Sequence, residues 1–361
     1  MLGLRGFIRR EPLLTIFTVL LLLLVVVSPR SVYRALVSMD YRAVYTLLAL
    51  LIVSKAVELS GAVNLLARRL LGVSRGRPFY ILSLIIVASF LLSGVFTNDA
   101  VLFIVVPLVL AFSRRIGVSS SRAVVLVVAA ANIGSMISPI GNPQNIIIWK
   151  YYDVPIPVFL LSMAPYGLLG LVILLGYAYF STRKSKRIPT VFPGVRIPRW
   201  KAFLSILLLL LLVAACELEE YILAGLIVVA TLLVYSRSLL KGLDYFLLLM
   251  FIVMFIDFTS LSLLFSLGTV KGMEAVLYGV VLSQFLSNVP ATIMLVNQCP
   301  DWYSLAVGVN LGGLFLVTGS FANIIGIRLG GVGVREFQKE ALPIGFLALL
   351  AWLSYYLLVS L

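Results

Sequence analysis

The sequence predicts an all-α polytopic membrane protein made of two inverted repeats, each with a re-entrant helical hairpin and a broken transmembrane helix. Three observations lead there. The 361 residues are 62% hydrophobic and only 12% charged, about half the charged share of a soluble domain, and the mean hydropathy is +1.13. Eleven apolar runs follow one another, near 12–28, 41–62, 79–113, 122–150, 156–180, 201–216, 220–236, 244–262, 273–297, 302–328 and 340–360. The polar residues that interrupt these runs recur at a fixed spacing.

The first run follows Arg5, Arg9 and Arg10, as in a signal peptide. Ser28-Pro29 lacks the small-x-small cleavage pattern, so a retained first helix is expected. The 79–113 run is too long for one span of roughly 17–25 residues and is broken at Thr97-Asn98-Asp99; 273–297 is broken at Ser287-Asn288-Val289-Pro290. Both read as re-entrant hairpins that enter and leave on one side, which leaves nine true crossings. With the N-terminus cytoplasmic and the C-terminus outside, 22 of 28 Lys and Arg fall in inner loops and five in outer ones, with Lys55 inside a span. That is the positive-inside pattern of a multi-pass cell-membrane protein. It accounts for the net charge of +14 without nucleic acid as a partner; membrane lipid surrounds the chain instead.

The longest loop, 181–200, is a basic, proline-bearing cytoplasmic linker that separates a first repeat (12–180) from a second (201–360). Asn132-Ile133-Gly134 matches Asn310-Leu311-Gly312, Ile140-Gly141-Asn142 matches Thr318-Gly319-Ser320, and Asn145 matches Asn323, each 178 residues later. Thr97-Asn98 matches Ser287-Asn288, and Asp40-Tyr41 matches Asp244-Tyr245. The second half has one additional helix. Oppositely oriented copies are a common plan of secondary transporters.

Seven of the nine asparagines lie in the four broken segments. Asn132 and Asn310 sit in helical runs, where helix–helix hydrogen bonding is an equal alternative to a supporting role at a site. Asn98, Asn142, Asn145, Asn288 and Asn323 lie beside helix breakers. Broken helices expose backbone amides that favour anions and carbonyls that favour Na+, tolerated at membrane depth only around a protein-lined cavity. The expected substrate- and cation-binding set is Thr97, Asn98, Asp99, Ser138, Gly141, Asn142, Gln144, Asn145, Ser287, Asn288, Thr318, Gly319, Ser320 and Asn323. Asp99, the only carboxylate in a motif, is expected to couple to H+ or Na+, or else to cap its half-helix. Lys55 and Glu58 are spaced to pair on one helix face. Asp257, without a visible partner in the 244–262 helix, reads as solvated or interfacial, with proton carriage the alternative.

The chain has no histidine, which removes histidine-based metal sites and triads. No enzyme activity and no cofactor beyond the coupling ion are expected. Cys216 and Cys299 both fall near the outer face, as unpaired thiols or as a disulfide, and Cys299 is expected to be reachable from outside. A channel and an intramembrane enzyme are the rival classes; duplicated broken helices argue for alternating access instead.

At the four broken segments the chain resembles the ion-transporter superfamily. Asn132-Ile133-Gly134-Ser135 through Ser138-Pro139-Ile140-Gly141-Asn142-Pro143-Gln144-Asn145 is similar to the citrate-transporter-like and arsenite-permease-like branch of anion permeases. Ser287-Asn288-Val289-Pro290 and Gly308-Val309-Asn310-Leu311-Gly312-Gly313 look like the second-repeat signatures. The resemblance spans roughly residues 12–360. It implies a homodimer whose transport domain, holding the hairpins and broken helices, moves as an elevator with a small anion or oxyacid between the hairpin tips. Both tips read Ser-Asn-Thr in the dicarboxylate carriers but not here, and no Lys or Arg lies in any of the four motifs. An arsenite-type efflux permease and a Na+/H+ antiporter are the alternatives the resemblance offers.

Overall fold

Proline and capping residues set where the helices of this apolar chain begin. A computed structural model describes residues 11–39, 41–62, 69–70, 72–95, 97–189, 199–218, 220–235, 238–243, 245–264 and 268–360. Among them there is no strand. The helices are α1 (Pro12–Val27), α2 (Pro29–Val37), α3 (Tyr41–Ser60), α4 (Pro78–Val95), α5 (Asn98–Ser113), α6 (Ser120–Ser135), α7 (Pro143–Tyr152), α8 (Ile156–Thr182) and α9 (Arg199–Glu217). They continue as α10 (Tyr221–Tyr235), α11 (Ser238–Lys241), α12 (Tyr245–Leu264), α13 (Gly272–Leu286), α14 (Asn288–Leu295), α15 (Trp302–Gly312), a 3-10 turn (Val317–Gly319), α16 (Phe321–Gly330) and α17 (Val334–Ser360). Asp40, Asp244, Arg5, Arg9, Arg10, the side chain of Glu58 and linker residues 190–198 lie outside the described residues, so the Asp-Tyr pairs and the Lys55–Glu58 pair are not part of this structure.

Among the described residues four helices are individually long and apolar enough to cross a membrane: Pro78–Val95, Ile156–Thr182, Arg199–Cys216 and Val334–Leu358. The other apolar helices are shorter, stop at a break or, as α3 and α12, carry side chains outside the described residues. The first run, 12–28, is α1, and a short second helix that no apolar run announced follows it at once. Pro29 forces Ser28 out of helical geometry, and α2 leaves α1 at 117°. Arg30 and Arg34 are exposed on α2 while Ser31, Val32 and Ala35 are buried, an amphipathic arrangement suited to a membrane surface.

The first hairpin, α4 and α5, has both ends in one place. Ile188 N donates to Gly76 O at 2.9 Å, and Ser185 lies against Gly117, so the segments before α4 and after α5 both touch the start of the basic linker. At the second hairpin, α13 and α14, Val270 N donates to Gln298 O at 3.0 Å and ties its two ends together. Each hairpin's first arm packs on the first half of a broken helix, α4 on α6 and α13 on α15. Glycine makes the approach close. A Cβ on Gly134 would stand 2.0 Å from Phe90 O, and one on Gly312 would stand 2.5 Å from Ser283 Cβ. The second arms cross over: α5 packs on α16 and α14 on α7.

The remaining helices also correspond in pairs. Tyr41 Oη donates to Leu36 O at 3.4 Å and Tyr245 Oη to Leu240 O at 2.8 Å, five residues back in each case. α3 packs against α5 as α12 packs against α14. Two ion pairs, Arg122 with Glu340 at 2.8 Å and Arg328 with Glu11, join helix ends assigned to the inner side. On the other side Tyr152 Oη donates to Val296 O at 3.1 Å and also to Cys299 O.

Two expectations need correction. Asp257 is 0% exposed, not solvated, because α12 is covered by α1, α2 and α14. Cys299 is only 2% exposed, with Sγ 3.1 Å from Asp301 O, so it is sheltered from reagents outside. Of the two readings of the cysteines, unpaired thiols hold: Cys216 and Cys299 are both free.

Candidate functional site

The breaks in α6–α7 and α15–α16 strand carbonyls that the helices would otherwise satisfy. In each, an asparagine supplies the missing donor. Asn145 Nδ2 donates to Ser135 O (3.3 Å), Met136 O (3.0 Å) and Ser138 O (2.9 Å). Asn323 Nδ2 donates to Gly313 O and Leu316 O, both at 2.9 Å. Ser135 and Gly313, and Ser138 and Leu316, are the same positions 178 residues apart. The stranded carbonyls of the first halves are thereby largely occupied, and the helix starts are left facing inward.

Two amides at the centre are saturated in a reciprocal pattern. Asn132 Oδ1 accepts from Asn98 Nδ2 at 2.9 Å and Ser320 Oγ at 3.3 Å, while its Nδ2 donates to Asn323 Oδ1 at 3.0 Å. Asn310 Oδ1 accepts from Asn142 Nδ2 at 3.1 Å and Gln144 Nε2 at 3.3 Å, while its Nδ2 donates to Asn145 Oδ1 at 2.7 Å and Ala306 O at 2.8 Å. Each half's central amide therefore binds the other half's capping asparagine. Asn132, Asn310, Asn142, Asn145 and Asn323 are all buried, and buried amides of this kind are expected to be paired.

The remaining expected residues surround this centre. Thr97 is the N-cap residue of α5, and Asn98 N donates to Gly141 O at 3.0 Å, seating the first tip on the first break. Asn98 Oδ1 accepts from Asp99 N. Asp99 lies in the first turn of α5 rather than at its cap, where the helix dipole favours negative charge. Asn142 caps α7 by accepting from Asn145 N at 2.9 Å. Ser138 Oγ accepts from Ile140 N at 3.3 Å. Gly141 and Gly319 sit where a Cβ would meet Ser135 O at 2.3 Å and Gly312 O at 2.6 Å.

At the second tip Thr318 Oγ1 donates to Gln284 O at 2.6 Å. Ser287 is 1% exposed with φ 69°, a left-handed conformation that costs a non-glycine residue about 1–3 kcal/mol. It begins the turn into α14. Asn288 is 4% exposed, and its amide makes no hydrogen bond among the described residues.

The breaks thus bring the N-terminal ends of α5, α7, α14 and α16 toward one region, with no Lys or Arg among the residues that build it. Beside the first tip is a cavity of about 200 Å³, lined by Thr46, Thr97, Ala100, Ile146, Cys216 and Tyr221 among others. It lies between the first hairpin and helices α3, α9 and α10.

Sequence reasoning overlooked Gln284 and Ser135. Gln284 Nε2 donates to Gly312 O at 2.8 Å and its Oε1 accepts from Leu316 N at 3.0 Å, clamping the second break to α13. Its signal was an uncharged amide in the apolar 273–297 run. Ser135 Oγ accepts from Asn142 Nδ2 at 3.0 Å; it stood in the first-break motif but outside the expected binding set.

The citrate transporter family model matches residues 6–301. Inner membrane protein YbiR of Escherichia coli is 34% identical over 336 residues, 90% of this chain and 89% of that protein. An uncharacterized transporter of Methanocaldococcus jannaschii is 30% identical over 326 residues, 88% of each chain. The silicon efflux transporter LSI3 of Oryza sativa subsp. japonica is 29% identical over 153 residues, 42% of this chain and 31% of that protein.

Proposed function

The chain belongs to the citrate transporter family, and from that premise we propose that it is a secondary active transporter of a small anion or oxyacid, driven by Na+ or H+. The observation that supports this most is the reciprocal amide network, in which Asn132 and Asn310 each bind the capping asparagine of the other half. Such a centre holds the first hairpin tip and the two helix breaks in register around one region. Inward helix N-termini stabilise a negative or strongly polar ligand. The absence of a cationic side chain favours an uncharged oxyacid or a weakly charged anion over a highly charged one, and the silicon efflux relative carries a name in keeping with that choice.

Transport follows an elevator scheme in this reading. The hairpins and broken helices, α4–α7 and α13–α16, form two inverted units that move together, with α8 and α17 packed on them. α1–α3 and α9–α12 form the static part and the contact between protomers of a homodimer in the cell membrane, with the N-terminus cytoplasmic and the C-terminus outside. The site comprises the tip residues Thr97, Asn98, Asp99, Ser287 and Asn288 and the break residues Ser138 to Asn145 and Thr318 to Asn323. Asp99 carries the coupling cation or proton beside the substrate.

The test is uptake into proteoliposomes of a panel of citrate, dicarboxylates, oxyanions, arsenite and silicic acid, with and without Na+ and pH gradients. Saturable, gradient-driven accumulation of one member is expected, and Asp99→Asn should keep exchange while losing accumulation. Unsaturable flux that ignores both gradients would point to a channel. Alkalinisation or acidification driven by Na+ alone, with no panel member moved, would select Na+/H+ antiport.

A further inference from the structure

The scaffold helix α12 holds a second carboxylate that the site described above does not use. Asp257 is 0% exposed, and neither Oδ1 nor Oδ2 has a hydrogen-bond partner. Its helical neighbours Val253, Met254, Ile256 and Phe258 are buried and apolar, and the nearby Ser260 hydroxyl is committed to Ile256 O at 2.6 Å. A bare carboxylate in such a place is among the least favourable arrangements a protein can hold.

Charges on the helices packed against α12 do not change this. α1 and α14 contain no ionisable residue. On α2, Arg30, Tyr33 and Arg34 are exposed. On α3, Lys55 lies against Gly242; that helix also carries Tyr41, Arg42, Tyr45 and Glu58, of which the Arg42 and Glu58 side chains lie outside the described residues. α13 contributes Glu274 and Tyr278, and Arg328 at the end of α16 is paired with Glu11. α12 itself adds Tyr245. No hydrogen bond or ion pair from these residues reaches Asp257.

The position gives the proton a use. α12 packs against α14 and α16 as α3 packs against α5 in the first half, and the spacing that relates Tyr41 to Tyr245 sets Val53, fully buried, opposite Asp257. The carboxylate is therefore present in one half only, on the static helix that faces a hairpin arm and a broken-helix half.

We propose that Asp257 is a proton-binding site: it is protonated while the helices packed on α12 cover it, and it releases the proton to water when movement of the hairpin arm α14 opens that packing. One O–H bond forms and breaks per cycle, and water carries the proton on either side. This inference rests on the elevator reading given above. It adds a proton site distinct from Asp99.

Two measurements on one purified preparation test it. The first is the infrared C=O stretch of a protonated carboxyl, taken as wild type minus Asp257→Asn at neutral pH. A band present in the wild type and lost in the variant is expected; no difference band overturns the proposal. The second is citrate uptake in proteoliposomes driven by a one-unit pH gradient, which can support about tenfold accumulation per coupled proton. Asp257→Asn should keep citrate counterflow and lose that accumulation, and Asp257→Glu should restore it. Undiminished pH-driven accumulation by Asp257→Asn overturns the proposal. A wild type that moves no citrate refutes the transport reading for that probe alone, because the infrared band still decides the proton site by itself.

Discussion

Replacing Asn310 with alanine removes the most heavily bonded side chain of the second half. Asn142 Nδ2 keeps Ser135 Oγ at 3.0 Å, but Gln144 Nε2 loses its acceptor and Asn145 Oδ1 loses its donor. Both residues are buried, at 2% and 0% exposure, so neither atom gains water in exchange. Each orphaned buried polar group costs about 1–3 kcal/mol, which makes the expected loss roughly 2–6 kcal/mol, a large share of the about 5–15 kcal/mol that holds a typical native fold. Asn297→Ala is the control: that amide is exposed, and its loss should stay within about 0.5 kcal/mol. Denaturant or thermal midpoints of the detergent-purified variants measure the difference. An Asn310→Ala midpoint equal to that of Asn297→Ala would refute the claim that the reciprocal amides hold the breaks together.

The glycines at the hairpin contacts should be equally intolerant. Gly134→Ala meets backbone at 2.0 Å and Gly312→Ala meets Ser283 Cβ at 2.5 Å, so each should lower the melting midpoint by at least the about 1–3 kcal/mol of an overpacked core; an unchanged midpoint would show that α4–α6 or α13–α15 can part without cost. Ser287→Gly should do the opposite and stabilise the protein by about 1 kcal/mol, since glycine adopts the left-handed conformation freely; destabilisation would mean that contacts of the serine side chain outweigh the strain. For topology, a cysteine at Lys186 should be labelled only from inside and one at Tyr151 only from outside, both positions being exposed. Labelling of the Lys186 position from outside would invert the assignment.

The sequence was legible where its interruptions were chemical. Thr97-Asn98-Asp99 and Ser287-Asn288 mark helix starts that the structure places at Asn98 and Asn288, and Asn142-Pro143 marks the start of α7, because capping side chains and proline act locally. The pairing of positions 178 residues apart was also visible, since identical asparagines recur. What those asparagines bind was not. Asn132 and Asn310 read as helix–helix hydrogen bonders or as support for a site, but which partners they join across the two halves was not legible, because contacts at that separation leave no trace in local pattern. The buried state of Asp257 was misjudged for a related reason: hydropathy along α12 says that the helix is apolar, not which neighbours cover it. α2 went unread because its nine residues, with Arg30 and Arg34 among them, are too short and too polar to form an apolar run.

Asn288→Ala tests the central claim most directly. Asn288 is 4% exposed and its side-chain amide makes no hydrogen bond among the described residues, so its removal orphans no protein group and should cost less stability than Asn310→Ala. If the second hairpin tip binds substrate or ion, that same variant should lose counterflow of the panel member that wild type transports. A folded Asn288→Ala protein that exchanges substrate at the wild-type rate would contradict the account and move the site away from the hairpin tips.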